Sequence, residues 1–149
     1  PGIAVFLLDI LKGIAAVWIG WALVPDKPLA AVLCGLLAIV GHNWPVFHGF
    51  KGGKGIATTI GVMATLTFWP ALYAGLIAIA AIVLTRYVSL GSLLFACTLP
   101  VFVKLTGYPW EIFGFSVLFA VFAVIRHRNN IVKLLTNKES KLGERSKLS

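Results

Sequence analysis

Apolar runs separated by brief polar interruptions fill the chain from its start to about position 125. Six can be drawn, at 3–23, 29–47, 56–69, 70–84, 88–103 and 110–125. Val24-Pro25-Asp26-Lys27-Pro28 closes the first, a glycine- and lysine-rich turn separates the second from the third, and Thr85-Arg86-Tyr87 parts the fourth from the fifth. A membrane-crossing helix takes roughly 20 residues, and the third and fourth runs are shorter than that. They form either two short helices meeting at Trp69-Pro70 or one helix sharply kinked there. Trp18, Trp21, Trp44, Trp69 and Trp110 mostly fall near run ends, where an interfacial aromatic belt would put them. The pattern predicts an all-α, polytopic transmembrane helix bundle with about six helices in this chain. The transmembrane domain is expected at 1–135 and a basic tail at 136–149. No internal repeat is evident, and 138–149 reads as disordered or surface-bound.

Composition excludes the soluble alternative. Of 149 residues 59% are hydrophobic and 12% charged, with mean hydropathy +0.94. A soluble domain of this size has too little interior to hide so much apolar surface. The net charge of +8 is concentrated between Arg126 and Lys147. With six crossings, Lys51, Lys54, Arg86 and the tail share one side, and Lys27 and Lys104 the other. The positive-inside rule makes the first side cytoplasmic, together with the N-terminus of this chain. Such a tail suits anionic lipid headgroups, and nucleic acid is not expected as a partner. Cys34 and Cys97 lie inside apolar runs, outside any CxxC or Cys/His cluster, so neither a metal site nor a disulfide framework is expected. No signal peptide is evident, and the Pro-Gly start suggests an upstream portion of the natural protein.

Four constellations could carry chemistry. The turn runs Gly41-His42-Asn43-Trp44-Pro45-Val46-Phe47-His48-Gly49-Phe50-Lys51-Gly52-Gly53-Lys54-Gly55. It lacks the Walker A spacing. It is either a plain connector or a phosphate site, with glycine N–H groups, two lysines and the positive end of the following helix aimed at one place. The second is Arg126-His127-Arg128-Asn129-Asn130-Ile131. Its arginines suit a membrane anchor. On a continuing helix His127 and Asn130 share a face, one fit for proton transfer and the other for holding an oxyanion or ligand. In Arg86-Tyr87-Val88-Ser89-Leu90-Gly91-Ser92 the serines are either helix caps or phosphate ligands. Asp9 and Lys12, three apart in the first run, can pair on a helix as a structural or functional ion pair. Glu111 reads as an interfacial residue.

Taken in order, these strings resemble the bacterial acyl-phosphate-dependent glycerol-3-phosphate acyltransferases. The resemblance rests on Leu8-Asp9-x-Leu11-Lys12-Gly13, on Gly41-His42-x-x-Pro45 with Phe50-Lys51-Gly52-Gly53-Lys54-Gly55-x-Ala57-Thr58, on Arg86-Tyr87-Val88-Ser89-Leu90-x-Ser92, and on Arg126-His127-Arg128-x-Asn130-Ile131. It implies an integral membrane enzyme of about seven helices in the complete fold, set in the bacterial inner membrane with its active-site loops and tail cytoplasmic. Such an enzyme moves a fatty acyl group from acyl phosphate to the sn-1 hydroxyl of glycerol 3-phosphate. It yields lysophosphatidic acid and inorganic phosphate for phospholipid synthesis. No metal or cofactor is implied, and coupling to an acyl-phosphate-forming enzyme is. The family's further N-terminal helix and first motif are not in this sequence. By resemblance, Lys54 binds a substrate phosphate, Ser92 and His127 the acyl phosphate, and Asn130 sits at the reacting centre. His127 is either the general base or an orienting group. Lys51, Gly52, Gly53, Gly55, His42, Arg126 and Arg128 join Lys54 in substrate binding. The competing readings are a transporter or channel for an anion such as phosphate, which would use the same lysines and glycines, and a structural membrane subunit.

Overall fold

The computed structural model describes residues 2–25, 27–45, 49 and 52–144. Among the described residues seven helices follow one another: α1 (Gly2–Leu23), α2 (Pro28–Asn43), α3 (Ile56–Leu66), α4 (Phe68–Thr85), α5 (Val88–Leu105), α6 (Trp110–Arg126) and α7 (Arg128–Leu135). No strand occurs among the described residues. Helices α1, α4 and α5 are each long and apolar enough to cross a membrane, and α6 joined to α7 makes a fourth candidate bent by 62°. Helices α2 and α3 are apolar but shorter. Exposed Leu, Ile, Val and Trp side chains cover the outside of the bundle, including Leu11, Trp18, Leu37, Leu76 and Leu84. That inversion of a soluble surface suits a chain whose solvent is lipid.

The core runs through α2, α3, α5 and α6, with Ile39, Met63, Leu99 and Phe119 almost wholly buried. Lipid supplies no hydrophobic drive between helices, so close backbone approach has to do more of the work. Helices α1 and α3 illustrate it. A Cβ on Gly13 would lie 2.2 Å from the Thr58 carbonyl oxygen, and one on Gly61 would lie 2.1 Å from that of Ile10. Only glycine fits on either side of this crossing. It ties the first turns of α3 to the Asp9–Lys12 level of α1.

The choice between one kinked helix and two short ones falls to two, and the break sits at Thr67 rather than at Trp69-Pro70 (φ −145°, ψ 73°). A continuous helix would drive the Pro70 ring into the Leu66 carbonyl and leave that carbonyl unpaired. Starting α4 at Phe68 instead puts Pro70 in a first turn, where its missing N–H is of no consequence.

Lys54, Arg86 and the tail gather at one end of the bundle, joined by side-chain contacts from Lys54 to Asn130 and from Arg86 to Leu142. Lys104 lies at the far end of α5, with its ammonium 3.7 Å from the Trp110 ring centre. The described part of the tail folds back over the α4–α5 turn, where the sequence suggested disorder or surface binding. Its order comes from Arg86 and Glu139, which contact partners far away in sequence.

Candidate active site

At the basic end, a cavity of about 380 Å³ opens between the turn, α5 and the α6–α7 junction. His42, Lys54, Gly55, Ser89, Ser92, His127, Asn130 and Glu139 supply its polar lining, and Phe6, Ile56, Ala57 and Val88 its apolar lining.

Local folding explains how they meet. Gly55 caps α3 in the left-handed region (φ 75°), where a side chain would be strained and a Cβ would strike Asn43 Oδ1 at 2.5 Å. The chain therefore turns at Gly55 straight into α3. The first residues of α3, Ile56 and Ala57, line the cavity, so the positive end of the helix dipole opens onto it. Gly52 and Gly53, within the turn, do not line the cavity. The Gly52 N–H donates to the Asn43 carbonyl (3.2 Å), and Gly53 packs against the His42 ring. Arg126 clamps the same turn, its Nη2 donating to the carbonyls of Gly52 (2.9 Å) and Gly53 (2.7 Å) while its guanidinium lies 5.5 Å from the Trp44 ring centre.

Lys54 leaves the turn toward α7, and its Nζ donates to Asn130 Oδ1 at 2.6 Å. Asn130 Nδ2 donates in turn to Glu139 Oε1 at 2.7 Å, and the same oxygen accepts from Ser89 Oγ at 2.6 Å. A relay thus runs from the turn through α7 and the tail to the start of α5. Loss of hydration on burial lowers the Lys54 ammonium below its ordinary value, reinforced by Lys133 and Arg126 and opposed by Glu139. For Glu139, desolvation pushes the carboxyl up. The hydrogen bonds from Ser89 and Asn130 and the charges of Lys54 and Lys133 outweigh it, and its pKa falls below the usual carboxylate value.

His127 stands just past the end of α6 and is buried. Its Nδ1 lies 2.8 Å from the Ala123 carbonyl oxygen. A carbonyl only accepts, so Nδ1 carries the proton and the neutral ring keeps its lone pair on Nε2. Burial is the largest influence on this imidazole and pushes its pKa below 6.5, against the Ala123 hydrogen bond. Near neutral pH the ring is therefore uncharged and able to accept.

On the other side, Asp9 Oδ1 holds Lys12 Nζ at 2.8 Å, the ion pair the sequence spacing suggested, and lies 3.3 Å from His42 Nδ1. Lys12 Nζ reaches the same nitrogen at 3.1 Å. The pair therefore fixes the ring of a cavity-lining histidine.

Of the residues singled out in the sequence, His42, Lys54, Gly55, Ser92, His127 and Asn130 meet at the cavity. Gly52, Gly53 and Arg126 form the turn and its clamp. Arg128 is exposed and does not line the cavity. Lys51 lies outside the described residues. Neither serine of α5 makes a side-chain cap; Ser92 Oγ donates back to the Val88 carbonyl, and Ser89 turns to Glu139. Glu139 was missed. Its one local signal is an acidic residue set between lysines, Lys138-Glu139-Ser140-Lys141.

A second cavity of about 450 Å³ adjoins the first, sharing Phe6, Ile56, Val88 and Ser92 with it. Its remaining lining is apolar apart from backbone: Ile60, Ala71, Gly75, Ile79, Ile82 and Phe95. A polar pocket thus leads into an apolar slot between α1, α3, α4 and α5.

The chain is similar to known proteins over most of its length. The family model described as glycerol-3-phosphate acyltransferase matches residues 1–137. A glycerol-3-phosphate acyltransferase of Shouchella clausii (strain KSM-K16) is 50% identical, covering 97% of this chain and 73% of that relative. One from Thermoanaerobacter sp. (strain X514) is 46% identical, over 97% of this chain and 72% of its own length. Among solved structures, PlsY (YgiH), an integral membrane glycerol 3-phosphate acyltransferase crystallised in its glycerol 3-phosphate form, is similar with a TM-score of 0.89. It is 35% identical, and the match covers 95% of this chain and 71% of that one. Its lysophosphatidic acid form is equally similar, at a TM-score of 0.89.

Proposed function

Since the chain belongs to the glycerol-3-phosphate acyltransferase family, we propose that its cavity transfers a fatty acyl group from acyl phosphate to the sn-1 hydroxyl of glycerol 3-phosphate. The products are lysophosphatidic acid and inorganic phosphate. The observation that carries this reading is the junction of the two cavities. A pocket that sets the Lys54 ammonium, the Asn130 amide and the start of α3 around one space suits phosphates; it adjoins an apolar slot suited to a fatty chain, and Ser92 stands where they meet.

Chemically, the hydroxyl oxygen attacks the acyl carbonyl carbon, the carbon–oxygen bond to phosphate breaks, and phosphate leaves with its electron pair. Acyl phosphate carries a good leaving group, so the main demands are positioning and charge stabilisation. Two phosphate-bearing substrates repel each other. Lys54 and the helix-dipole end of α3 offset that repulsion, while Arg126 keeps the turn in the shape that presents them. Asn130 Nδ2 has a second hydrogen beyond the one given to Glu139, available for a developing oxyanion. His127 takes the hydroxyl proton on Nε2, a role supported by the hydrogen bond that commits Nδ1–H to Ala123. In the competing route the acyl phosphate itself takes the proton and His127 only orients it. We place the cavity on the cytoplasmic side of the bacterial inner membrane, because Lys54, Arg86 and the tail share its end of the bundle.

The deciding experiment measures phosphate release from palmitoyl phosphate by the protein in lipid, with and without glycerol 3-phosphate. Release that requires glycerol 3-phosphate and yields lysophosphatidic acid supports the reading. Release without the acceptor, or anion flux across vesicles with no acyl transfer, sinks it.

A further inference from the structure

We propose that Arg86 is a positioning residue for acyl transfer: it latches the tail segment 138–143 over the α4–α5 turn and so seats Glu139 between Ser89 and Asn130. The proposal rests on the acyltransferase reading above. Arg86 does not line either cavity, so it acts through the groups it holds.

The latch is a closed set of contacts. Arg86 Nε and Nη2 both donate to the Leu142 carbonyl, at 3.0 and 2.6 Å. The Leu142 N–H donates back to the Arg86 carbonyl at 2.7 Å. One residue thus fixes another 56 positions away through side chain and backbone together. A planar guanidinium can present two donors at once, and a lysine ammonium cannot reproduce that fork. The surroundings fit it. Gly143 passes so close that a Cβ would come 3.3 Å from Nη2. Lys141 Nζ lies 5.7 Å from the Tyr87 ring centre, and Lys141 and Glu144 close a small turn around the latch.

The backbone of Arg86 is the second independent sign. Arg86 ends α4 in the left-handed region at φ 64°, one of two non-glycine residues with positive φ among those described. Glycine is the usual residue at such a helix end because it has no Cβ to strain there. An arginine holding this conformation points to a side chain in use, and the fork to Leu142 is that use.

What the latch controls is the amide of Asn130. Lys54 donates to its Oδ1, and Glu139 accepts from its Nδ2. Held at both ends, the amide can face the cavity in only one sense. Leu142 is three residues beyond Glu139, so releasing it frees the carboxylate and with it one end of the amide. Ser89 loses its acceptor at the same time.

The test compares wild type with Arg86→Gly and Arg86→Lys in lipid. It reads steady-state kinetics, thermal stability and hydrogen exchange of the 138–144 peptide. Arg86→Gly relieves the strained conformation while deleting the fork, so the fold should be at least as stable as wild type. We expect its strap to exchange faster and its kcat to fall about tenfold or more, with KM for glycerol 3-phosphate within about threefold, as misplacement without lost binding requires. Arg86→Lys should recover part of the loss. Wild-type kcat in a well-folded Arg86→Gly protein overturns the proposal. So does activity lost only together with thermal stability, which would make Arg86 a plain stability contact. If wild type shows no glycerol 3-phosphate-dependent release, the acyltransferase reading falls on its own, and exchange still judges the latch. Strap protection present in wild type and lost in Arg86→Gly then supports it, and equal exchange in both overturns it.

Discussion

Lys54 combines two roles that a surface lysine seldom has: it offers positive charge to the cavity and fixes one end of the Asn130 amide. Lys54→Ala should therefore lower kcat/KM about a hundredfold or more, the scale of losing a preorganised donor, while an exposed stem leaves the fold intact. Full activity in that variant, measured by glycerol 3-phosphate-dependent phosphate release, would dismiss the assignment. His127 makes a pH prediction. Its pKa is depressed below 6.5 by burial, so the neutral, accepting form prevails through neutrality. The acid limb of kcat/KM, which reports the free enzyme, should then lie below the ordinary imidazole range and disappear in His127→Asn. Glu139 predicts a separate acid effect. Its folded pKa is below the unfolded value, so its contacts stabilise the strap above the ordinary carboxylate range and weaken as pH falls through the depressed value. The protection factors of the strap, with the intrinsic pH dependence of amide exchange divided out, should fall over that acid interval in wild type and lose this dependence in Glu139→Gln. At this scale the sequence was legible where residue types cluster: Lys54, His127 and Asn130 stand out by chemistry and spacing. Glu139 did not, because its partners Ser89 and Asn130 lie 50 and nine positions away.

Among the elements, the α1–α3 crossing carries the sharpest constraint. Gly61→Ala would bring a methyl group into the Ile10 carbonyl, and backbone cannot swing aside as a flexible side chain does. The expected loss is about 1–3 kcal/mol of stability, read as a lower melting temperature in detergent. Gly75→Ala serves as a control, since a Cβ there meets nothing within 4 Å. An unchanged melting temperature for Gly61→Ala would show that the helices do not pack this tightly. The hydropathy runs located most helices, but the third and fourth divided at Thr67, two residues before the expected point. Proline's effect reaches back four residues to the carbonyl of Leu66, and the expectation put the break at the ring itself. Helix α7 went unseen as a separate element because hydropathy alone does not register a 62° bend.

For the whole molecule, the apolar slot is the feature that no single element contains. It is walled by α1, α3, α4 and α5, with Gly75 on its lining. Open space at Gly75 lets a larger side chain enter the slot without a backbone clash. Gly75→Leu should therefore shift preference toward shorter acyl phosphates, with kcat/KM for a long chain falling about tenfold relative to a short one, in line with the energy of losing a few buried methylenes. A parallel loss for all chain lengths would place the acyl group elsewhere.

Class, membrane habit and the chemical vocabulary of the site were decided by sequence alone. Hydropathy sets which solvent a surface can face, and side-chain type sets which donors, acceptors and charges a site can draw on. Tertiary structure decided which of these groups act together. Arg126 turned to the carbonyls of its neighbouring turn and Arg128 to the outside, though their charge alone made both plausible phosphate ligands. Ser89, Asn130 and Glu139 form one hydrogen-bonded unit because the returning tail brings Glu139 between α5 and α7. Local spacing carries no record of such contacts, because they depend on how whole helices and the returning tail pack in three dimensions.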